Sequence, residues 1–173
     1  MMEFRLSGSG GQGLILAGII LAEAAIEEGK EALQSQSYGP EARGGSSKSE
    51  VIIADHRIYY PKVTAPDILL AMTQEALGKY GADLKDDGIL IIDSTLVKDV
   101  PARFSKVYSV PITGLAVEKL GRELFANIIA LGIIAKLSGE VKFSSLEKAV
   151  LGRVPKGTEK VNSQALQLGY EAV

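Results

Sequence analysis

The sequence contains no cysteine and no tryptophan, and its only histidine is His56. Without cysteine the chain can form no disulfide, provide no thiolate nucleophile and ligate no iron–sulfur cluster through thiolates. A single histidine also excludes a histidine-rich zinc site, and because His56 follows Asp55 in a turn, we assign it no catalytic role. We therefore predict no catalytic residue and no metal site in this chain, and a reducing, cytoplasmic compartment.

The sequence also lacks a basic charge excess and a long apolar run. Its 21 acidic residues outnumber 19 Lys and Arg residues, and only 6% of its residues are aromatic. These values argue against an electrostatic surface for nucleic acid and against a base-stacking surface. The most apolar stretch, 14–26, contains Glu23 and is shorter than the ~20 residues that a membrane span needs. We expect neither nucleic acid nor membrane as a partner.

Apolar residues are abundant. They make up 46% of the 173 residues, and the mean hydropathy is +0.16. The predicted helix at 123–137 is apolar nearly all round, which is more than one core-facing stripe requires. We therefore expect apolar faces that are buried against other chains, either in a homodimer of the isolated chain or against partner subunits.

Strand and helix patterns alternate over the first two thirds of the chain. A strand at 3–7 precedes a largely buried helix at 14–28 and a second strand at 31–37. Further strands are predicted at 46–54, 66–72, 89–93 and 106–110, and helices at 74–80, 113–120, 123–137, from 144 and at 158–170. This order predicts an α/β fold with a doubly wound, mostly parallel sheet. It has a Rossmann-like βαβ start, an antiparallel excursion over 46–60 and a helical C-terminal part, in a single domain spanning 1–173.

A glycine-rich turn joins the first strand to the first helix. Gly8, Gly10 and Gly13 fit the spacing G-x-G-x-x-G, which suits a tight turn, a close approach of a ligand to the backbone and close helix packing. The N-terminus of the following helix favours a phosphate. An NAD site also needs an acidic residue about 20 residues further on, but residues 33–36 are Leu, Gln, Ser and Gln. NAD, another phosphate-bearing ligand and a purely structural turn therefore remain as alternatives, with NAD the least favoured.

A second loop, 37–45, follows the second strand. Arg43 lies between Gly39-Pro40 and Gly44-Gly45, where its guanidinium could bind a phosphate or carboxylate, or pair with Glu41. Both loops should leave the sheet at its carboxyl edge, so Arg43 would lie near a phosphate held by the glycine turn. The candidate ligand-binding residues are Gly8, Gly10, Gly11, Gln12, Gly13, Tyr38, Arg43 and Gly44. Gln12 either lines the turn or caps the helix, and Tyr38 either packs under its loop or stacks on a ligand.

Two polar residues stand out in otherwise apolar elements. Asn127 lies in an apolar helix, so its amide needs a partner, and we expect that partner in the loop of Pro111 and Gly114. Asp93 ends a central strand, where sites of α/β proteins gather, but it could equally cap the next turn.

The glycine turn and the second loop together resemble the gamma subunit of 2-oxoacid:ferredoxin oxidoreductases. The resemblance is carried by R-L-S-G-S-G-G-Q-G at 5–13 and Q-S-Y-G-P-E-A-R-G-G at 36–45, and it continues through 49–53, 63–69 and 127–132. These enzymes act on pyruvate, 2-oxoglutarate or branched-chain oxoacids. The resemblance implies a subunit that helps to form the coenzyme A side and the assembly of such an enzyme and is inactive alone.

The same resemblance implies the cofactors and partners of the complex. The complex would use thiamine diphosphate, magnesium, iron–sulfur clusters and coenzyme A, pass electrons to ferredoxin, and contain alpha, beta and ferredoxin-like delta subunits. This chain would bind none of these cofactors alone, since it lacks cysteine and since Asp86-Asp87-Gly88 lacks the leading glycine of a thiamine diphosphate motif. Two alternatives remain: a stand-alone NAD-type Rossmann dehydrogenase and a purely structural interaction subunit with an empty turn.

Overall fold

A computed structural model describes residues 1–38 and 45–173, with Tyr38 described by its backbone alone. All six strands and two of the helices lie before residue 111 in the described residues, and the chain is helical beyond it. The elements are β1 (Met2–Ser9), α1 (Leu14–Glu27), β2 (Glu31–Tyr38), β3 (Ser46–Ala54), β4 (Ile68–Ala71), α2 (Gln74–Tyr80), β5 (Ile89–Asp93), β6 (Lys106–Val110), α3 (Ile112–Leu120), a 3₁₀ turn (Glu123–Phe125), α4 (Ala126–Ser138), α5 (Phe143–Arg153) and α6 (Glu159–Glu171).

The six strands form one sheet in the order β2-β3-β1-β4-β5-β6. Strands β1, β4, β5 and β6 pair in parallel, and β3 runs antiparallel to both of its neighbours, β1 and β2. The predicted α/β fold with a mostly parallel sheet and an antiparallel excursion is confirmed. Strand β3 ends at Ala54, however, and residues 55–67 contain no strand, so the excursion is shorter than predicted. Beyond Ala54 neither neighbouring strand offers a partner, because β1 begins at Met2, opposite Ile53, and β2 begins at Glu31, opposite Ala54.

The βαβ start is confirmed in order but differs in its pairing. Strands β1 and β2 run in the same direction, yet β3 lies between them, so that Gly8 and Tyr38 both pair with Ser47. The two strands are therefore about 9–10 Å apart, twice the spacing of adjacent strands. Both still end at the same edge of the sheet. The glycine turn at the end of β1 thus lies beside the residues that flank segment 39–44.

Apolar layers cover both faces of the sheet. The larger layer contains α1 and α4 and includes Phe4, Leu70 and Ile91. The smaller one is built from Leu69, Leu90 and their neighbours. Leu69 and Leu70 are both fully buried although they point to opposite faces, as expected for a central parallel strand.

Helix α4 is buried within its own chain. All residues from Ala126 to Ala135 are buried, because α6 packs closely on the outer side of α4. The apolar residues of α4 therefore lie in the interior of this chain, and the prediction that they face another chain is wrong. The homodimer stays a prediction, but α4 does not support it. In the part of the chain that the structure describes, we find no helix with the length and apolar character of a membrane span.

Candidate functional site

The glycine turn spans residues 9–13, between the end of β1 and the start of α1. The Gly10 N–H donates to the carbonyl of Gly45 at 2.9 Å, and the Ser9 N–H donates to Oε1 of Gln12 at 2.8 Å. Gln12 therefore bridges the turn rather than capping the helix. A Cβ on Gly8 would lie 2.2 Å from this Gln12 oxygen and 2.7 Å from Cδ1 of Leu14, so Gly8 permits the side chain of Gln12 to fold back.

Two glycines of the turn have left-handed backbones. Gly11 has φ of 92°, and a Cβ there would meet no atom within 4 Å. Its backbone thus lies open on the side where a ligand could approach. Gly13 has φ of 74° and is the N-cap residue of α1. A Cβ on Gly13 would lie 2.5 Å from Nδ2 of Asn127, so the close packing predicted for this glycine is against α4 rather than against the strand.

A cleft of about 430 Å³ lies next to the turn. It is lined by Ser9, Gly10, Gly11, Gln12, Thr73, Leu96, Thr113, Glu123, Leu124 and Ala126. Helices α1 and α4 begin at this cleft, and neither has a side-chain cap within the described ranges. The first N–H group of α4, on Ala126, donates to the Glu123 carbonyl. The first N–H groups of α1 and the dipoles of both helices give the cleft a positive partial charge, which favours an anion. Leu96 and Leu124, which are 42% and 65% exposed, give it an apolar wall.

Asp93 stabilises the protein beside this cleft. It is fully buried, and Oδ1 accepts the N–H of Thr95 at 3.0 Å while Oδ2 accepts the N–H of Thr113 at 3.1 Å. The Thr113 hydroxyl donates to the same Oδ2. Asp93 therefore caps the first turn of α3 and offsets the positive end of that helix. Of the two predicted roles, the structure supports capping.

A larger open depression, of about 680 Å³, lies elsewhere, between α2 and the segment before β6. Its lining includes Gln74, Lys98 and Arg103. Gln74 accepts the N–H groups of Lys98 and Asp99, and Arg103 donates to backbone carbonyls. These side chains hold the local loop together, and the lining of the depression includes none of residues 9–13.

The structure brings five of the predicted site residues together: Gly8, Gly10, Gly11, Gln12 and Gly13. Arg43, Gly44 and the side chain of Tyr38 lie outside the described residues. The residues on either side of segment 39–44 are positioned at the turn, since Gly45 accepts the Gly10 N–H and Ser46 pairs with Ser9. The ligand-binding role of all eight residues stays a prediction.

Asn127 does not have the partner that its sequence context predicts. Its Nδ2 donates to the carbonyl of Gly13 at 3.2 Å, not to the loop of Pro111 and Gly114. The N–H of Gly114 instead donates to Oγ1 of Thr95. The polar residue in an apolar helix was visible in the sequence, but a partner 114 residues away was not.

The geometry does not suit a nicotinamide dinucleotide. In a Rossmann site an acidic residue at the end of the second strand binds the ribose. Here β3 lies between β2 and the strand that carries the glycine turn, so the end of β2 is not adjacent to the turn as a Rossmann site requires. Gln34 of β2 is bound to β3 instead, since its Nε2 donates to Oγ of Ser49 at 2.9 Å.

Comparisons with known proteins agree with the fold. The family model for pyruvate ferredoxin/flavodoxin oxidoreductase matches residues 3–172. The 2-oxoglutarate synthase subunit KorC of Methanocaldococcus jannaschii is 49% identical over 172 residues, covering 98% of this chain and 92% of the relative. The crystal structure of the keto/oxoacid ferredoxin oxidoreductase gamma subunit from Geobacter sulfurreducens PCA is 52% identical, with a TM-score of 0.90 and coverage of 99% of this chain and 98% of that one.

A third similarity concerns the fold alone. The 2-oxoglutarate:ferredoxin oxidoreductase of Magnetococcus marinus, solved with 2-oxoglutarate, coenzyme A and succinyl-CoA bound, is 21% identical with a TM-score of 0.86. The match covers 99% of this chain but only 30% of that one, so an equivalent of this fold forms part of a longer polypeptide there.

The alternatives of a stand-alone NAD-type dehydrogenase and of a purely structural interaction subunit do not fit these relatives, which are subunits of 2-oxoacid oxidoreductases. The match over residues 3–172 and the similarity to these subunits lead to one family. The chain belongs to the pyruvate ferredoxin/flavodoxin oxidoreductase family, as a gamma-type subunit of a multisubunit 2-oxoacid:ferredoxin oxidoreductase.

Proposed function

We propose that this chain binds a phosphate of coenzyme A at the glycine turn and thereby forms the coenzyme A side of the assembled enzyme. The observation that carries the proposal is the cleft at the starts of α1 and α4, onto which the open backbone of Gly11 faces. Backbone N–H groups at a helix start and the helix dipole act together on a phosphate. A cleft of about 430 Å³ holds part of a ligand as large as coenzyme A, so other subunits would cover the rest.

Arg43 is the proposed cationic partner of that phosphate. Among the described residues that line the cleft there is no Lys or Arg, and Glu123 is the one carboxylate. Glu123 is exposed, so solvent screens its repulsion. The residues that flank segment 39–44 lie beside the turn, which supports Arg43 as the source of the missing charge. Leu96 and Leu124 would contact the less polar part of the ligand.

The chemistry of the reaction would lie on other chains. We propose that alpha, beta and ferredoxin-like delta subunits hold thiamine diphosphate, magnesium and the iron–sulfur clusters, and that ferredoxin accepts the electrons. This chain contains no cysteine for a cluster. The 49% identity to a 2-oxoglutarate synthase subunit supports 2-oxoglutarate as the oxoacid of the complex. We also propose a single domain over residues 1–173 and a cytoplasmic location.

Replacing Arg43 tests the proposal. We expect Arg43→Ala in the reconstituted complex to raise the coenzyme A concentration for half-maximal rate roughly ten- to a hundredfold, because one charge-assisted contact is lost. Decarboxylation without coenzyme A should not change. Gly10→Val should have the larger effect, since a branched side chain would obstruct the approach to the turn.

Arg57→Ala is the matched control. Arg57 follows the end of β3 at the opposite edge of the sheet and is exposed, so this variant should keep the normal coenzyme A requirement. Steady-state kinetics of the three complexes give the answer. A normal coenzyme A requirement in the Arg43→Ala complex would mean that the 37–45 loop has a structural or subunit-binding role instead.

A further inference from the structure

Asn127 connects the helical C-terminal part of the chain to the glycine turn. It is the only polar residue in the buried run of α4 from Ala126 to Ala135, and it is 6% exposed. Its Nδ2 donates to the Gly13 carbonyl at 3.2 Å. The neighbouring Ala126 lines the cleft. The hydrogen bond therefore joins two of the elements that surround the cleft.

The stability of the core does not explain this asparagine. Burying an amide in an apolar layer is unfavourable unless it is hydrogen-bonded, and an apolar side chain of similar shape would pack as well. Asn162 of α6 shows the contrast. It is 4% exposed, and its Nδ2 donates to the carbonyl of Thr158 at 2.9 Å, at the start of its own helix. Asn162 therefore stabilises the start of its own helix, whereas Asn127 binds the N-cap residue of α1.

The bond to Gly13 fixes the direction of a backbone donor. The Gly13 carbonyl also accepts the N–H of Ala17 at 3.0 Å, so both lone pairs of its oxygen are used. This carbonyl and the N–H of Leu14 belong to one planar peptide unit. Holding the carbonyl therefore sets the direction of the Leu14 N–H. That group is one of the first N–H groups of α1, which have no partner within the helix.

Helix α4, which carries Asn127, is held in place by its packing on α6. Gly132 of α4 and Gly169 of α6 allow the two backbones into contact: a Cβ on Gly132 would lie 2.2 Å from the Leu166 carbonyl oxygen. The position of Asn127 is thus set by the packing of α4 on α6. A shift of α4 by a fraction of an ångström would be transmitted to the Gly13–Leu14 peptide.

We infer that Asn127 is a positioning residue that orients the N–H groups at the start of α1 toward the ligand in the cleft. The inference rests on the proposed binding of a coenzyme A phosphate at the glycine turn. Asn127 acts through Gly13 and does not itself contact the ligand.

Asn127→Leu in the reconstituted complex tests the inference. Leucine nearly matches asparagine in shape and suits the apolar layer, and the Gly13 carbonyl keeps its bond from Ala17, so the unfolding temperature should be unchanged or higher. The coenzyme A concentration for half-maximal rate should rise about three- to tenfold, as expected for the loss of one hydrogen bond that orients a donor. Decarboxylation without coenzyme A should be unchanged. Asn127→Ala should show the same kinetic split with a lower unfolding temperature.

Asn162→Ala is the matched control, because it also removes a buried amide from a helix of the same layer. It should lower the unfolding temperature without changing the coenzyme A requirement. Normal coenzyme A dependence in Asn127→Leu, together with a raised requirement in Arg43→Ala, would overturn the inference and leave the proposed function standing. Normal dependence in both variants would overturn the proposed function and the inference with it.

Discussion

Gly169→Ala is expected to destabilise the protein by about 3 kcal/mol or more, which is a large fraction of the ordinary stability of a domain. A Cβ on Gly169 would lie 1.8 Å from the carbonyl oxygen of Ile129 and 2.7 Å from its carbonyl carbon. Both atoms belong to the α4 backbone, so no side chain can rotate away. The two helices would have to separate, and the apolar layer around α4 would open.

Helix propensity alone would predict the opposite change in stability. Alanine is favoured over glycine in a helix by up to about 1 kcal/mol, so an unhindered site would gain stability. Gly152 of α5 is the matched control: it lies in a helix, and a Cβ there would meet no atom within 4 Å. We expect Gly152→Ala to be neutral or stabilising. Denaturant unfolding of both variants decides the point, and a folded Gly169→Ala protein of normal stability would contradict the packing of α4 on α6.

Arg5→Met is expected to lower the free energy of unfolding by about 3–5 kcal/mol, because it would leave a buried carboxylate without its main partner. Arg5 of β1 lies opposite Glu50 of β3 and is 3% exposed. Its Nε donates to Glu50 at 2.7 Å, and its Nη1 donates to Asp83 and to the carbonyl of Tyr80. Burial disfavours the charge of Arg5, but the hydrogen bonds to Asp83 and Glu50 outweigh burial and raise its pKa.

A second substitution separates the unpaired charge from lost packing. In Arg5→Met combined with Glu50→Gln the buried carboxylate beside position 5 is gone, and we expect at least half of the lost stability to return. Arg153→Met is the control for an exposed pair, since Arg153 binds Glu23 at the surface, and it should not change stability measurably. Chemical denaturation of the four proteins gives the comparison. Equal, small effects of Arg5→Met and Arg153→Met would show that the buried network contributes little.

The local features of the site were predictable from the sequence. A strand, the glycine spacing of Gly8, Gly10 and Gly13, and an apolar helix occur in sequence order, and their geometry follows from neighbouring residues. The left-handed backbone of Gly13 is a local property of this kind. The turn therefore formed where the pattern placed it, beside the end of the loop that carries Arg43.

The long-range features were not predictable in the same way. Strand β3 could pair with either neighbour by its own pattern, and only the complete sheet shows it between β1 and β2. Arg5 alternates with Phe4 and Leu6, which places it on the other face of the strand, but its burial depends on Glu50 and Asp83 far along the chain. The bond from Asn127 to Gly13 depends likewise on how α4 lies across the start of α1.

The most direct test is a coenzyme A titration of acyl-CoA formation by the purified partner subunits, with and without this chain. The account predicts that the partners alone decarboxylate the 2-oxoacid but form acyl-CoA poorly. Addition of this chain should restore acyl-CoA formation at low coenzyme A concentration, and the chain by itself should have no activity. Partner subunits that form acyl-CoA with the same coenzyme A dependence in the absence of this chain would contradict the account.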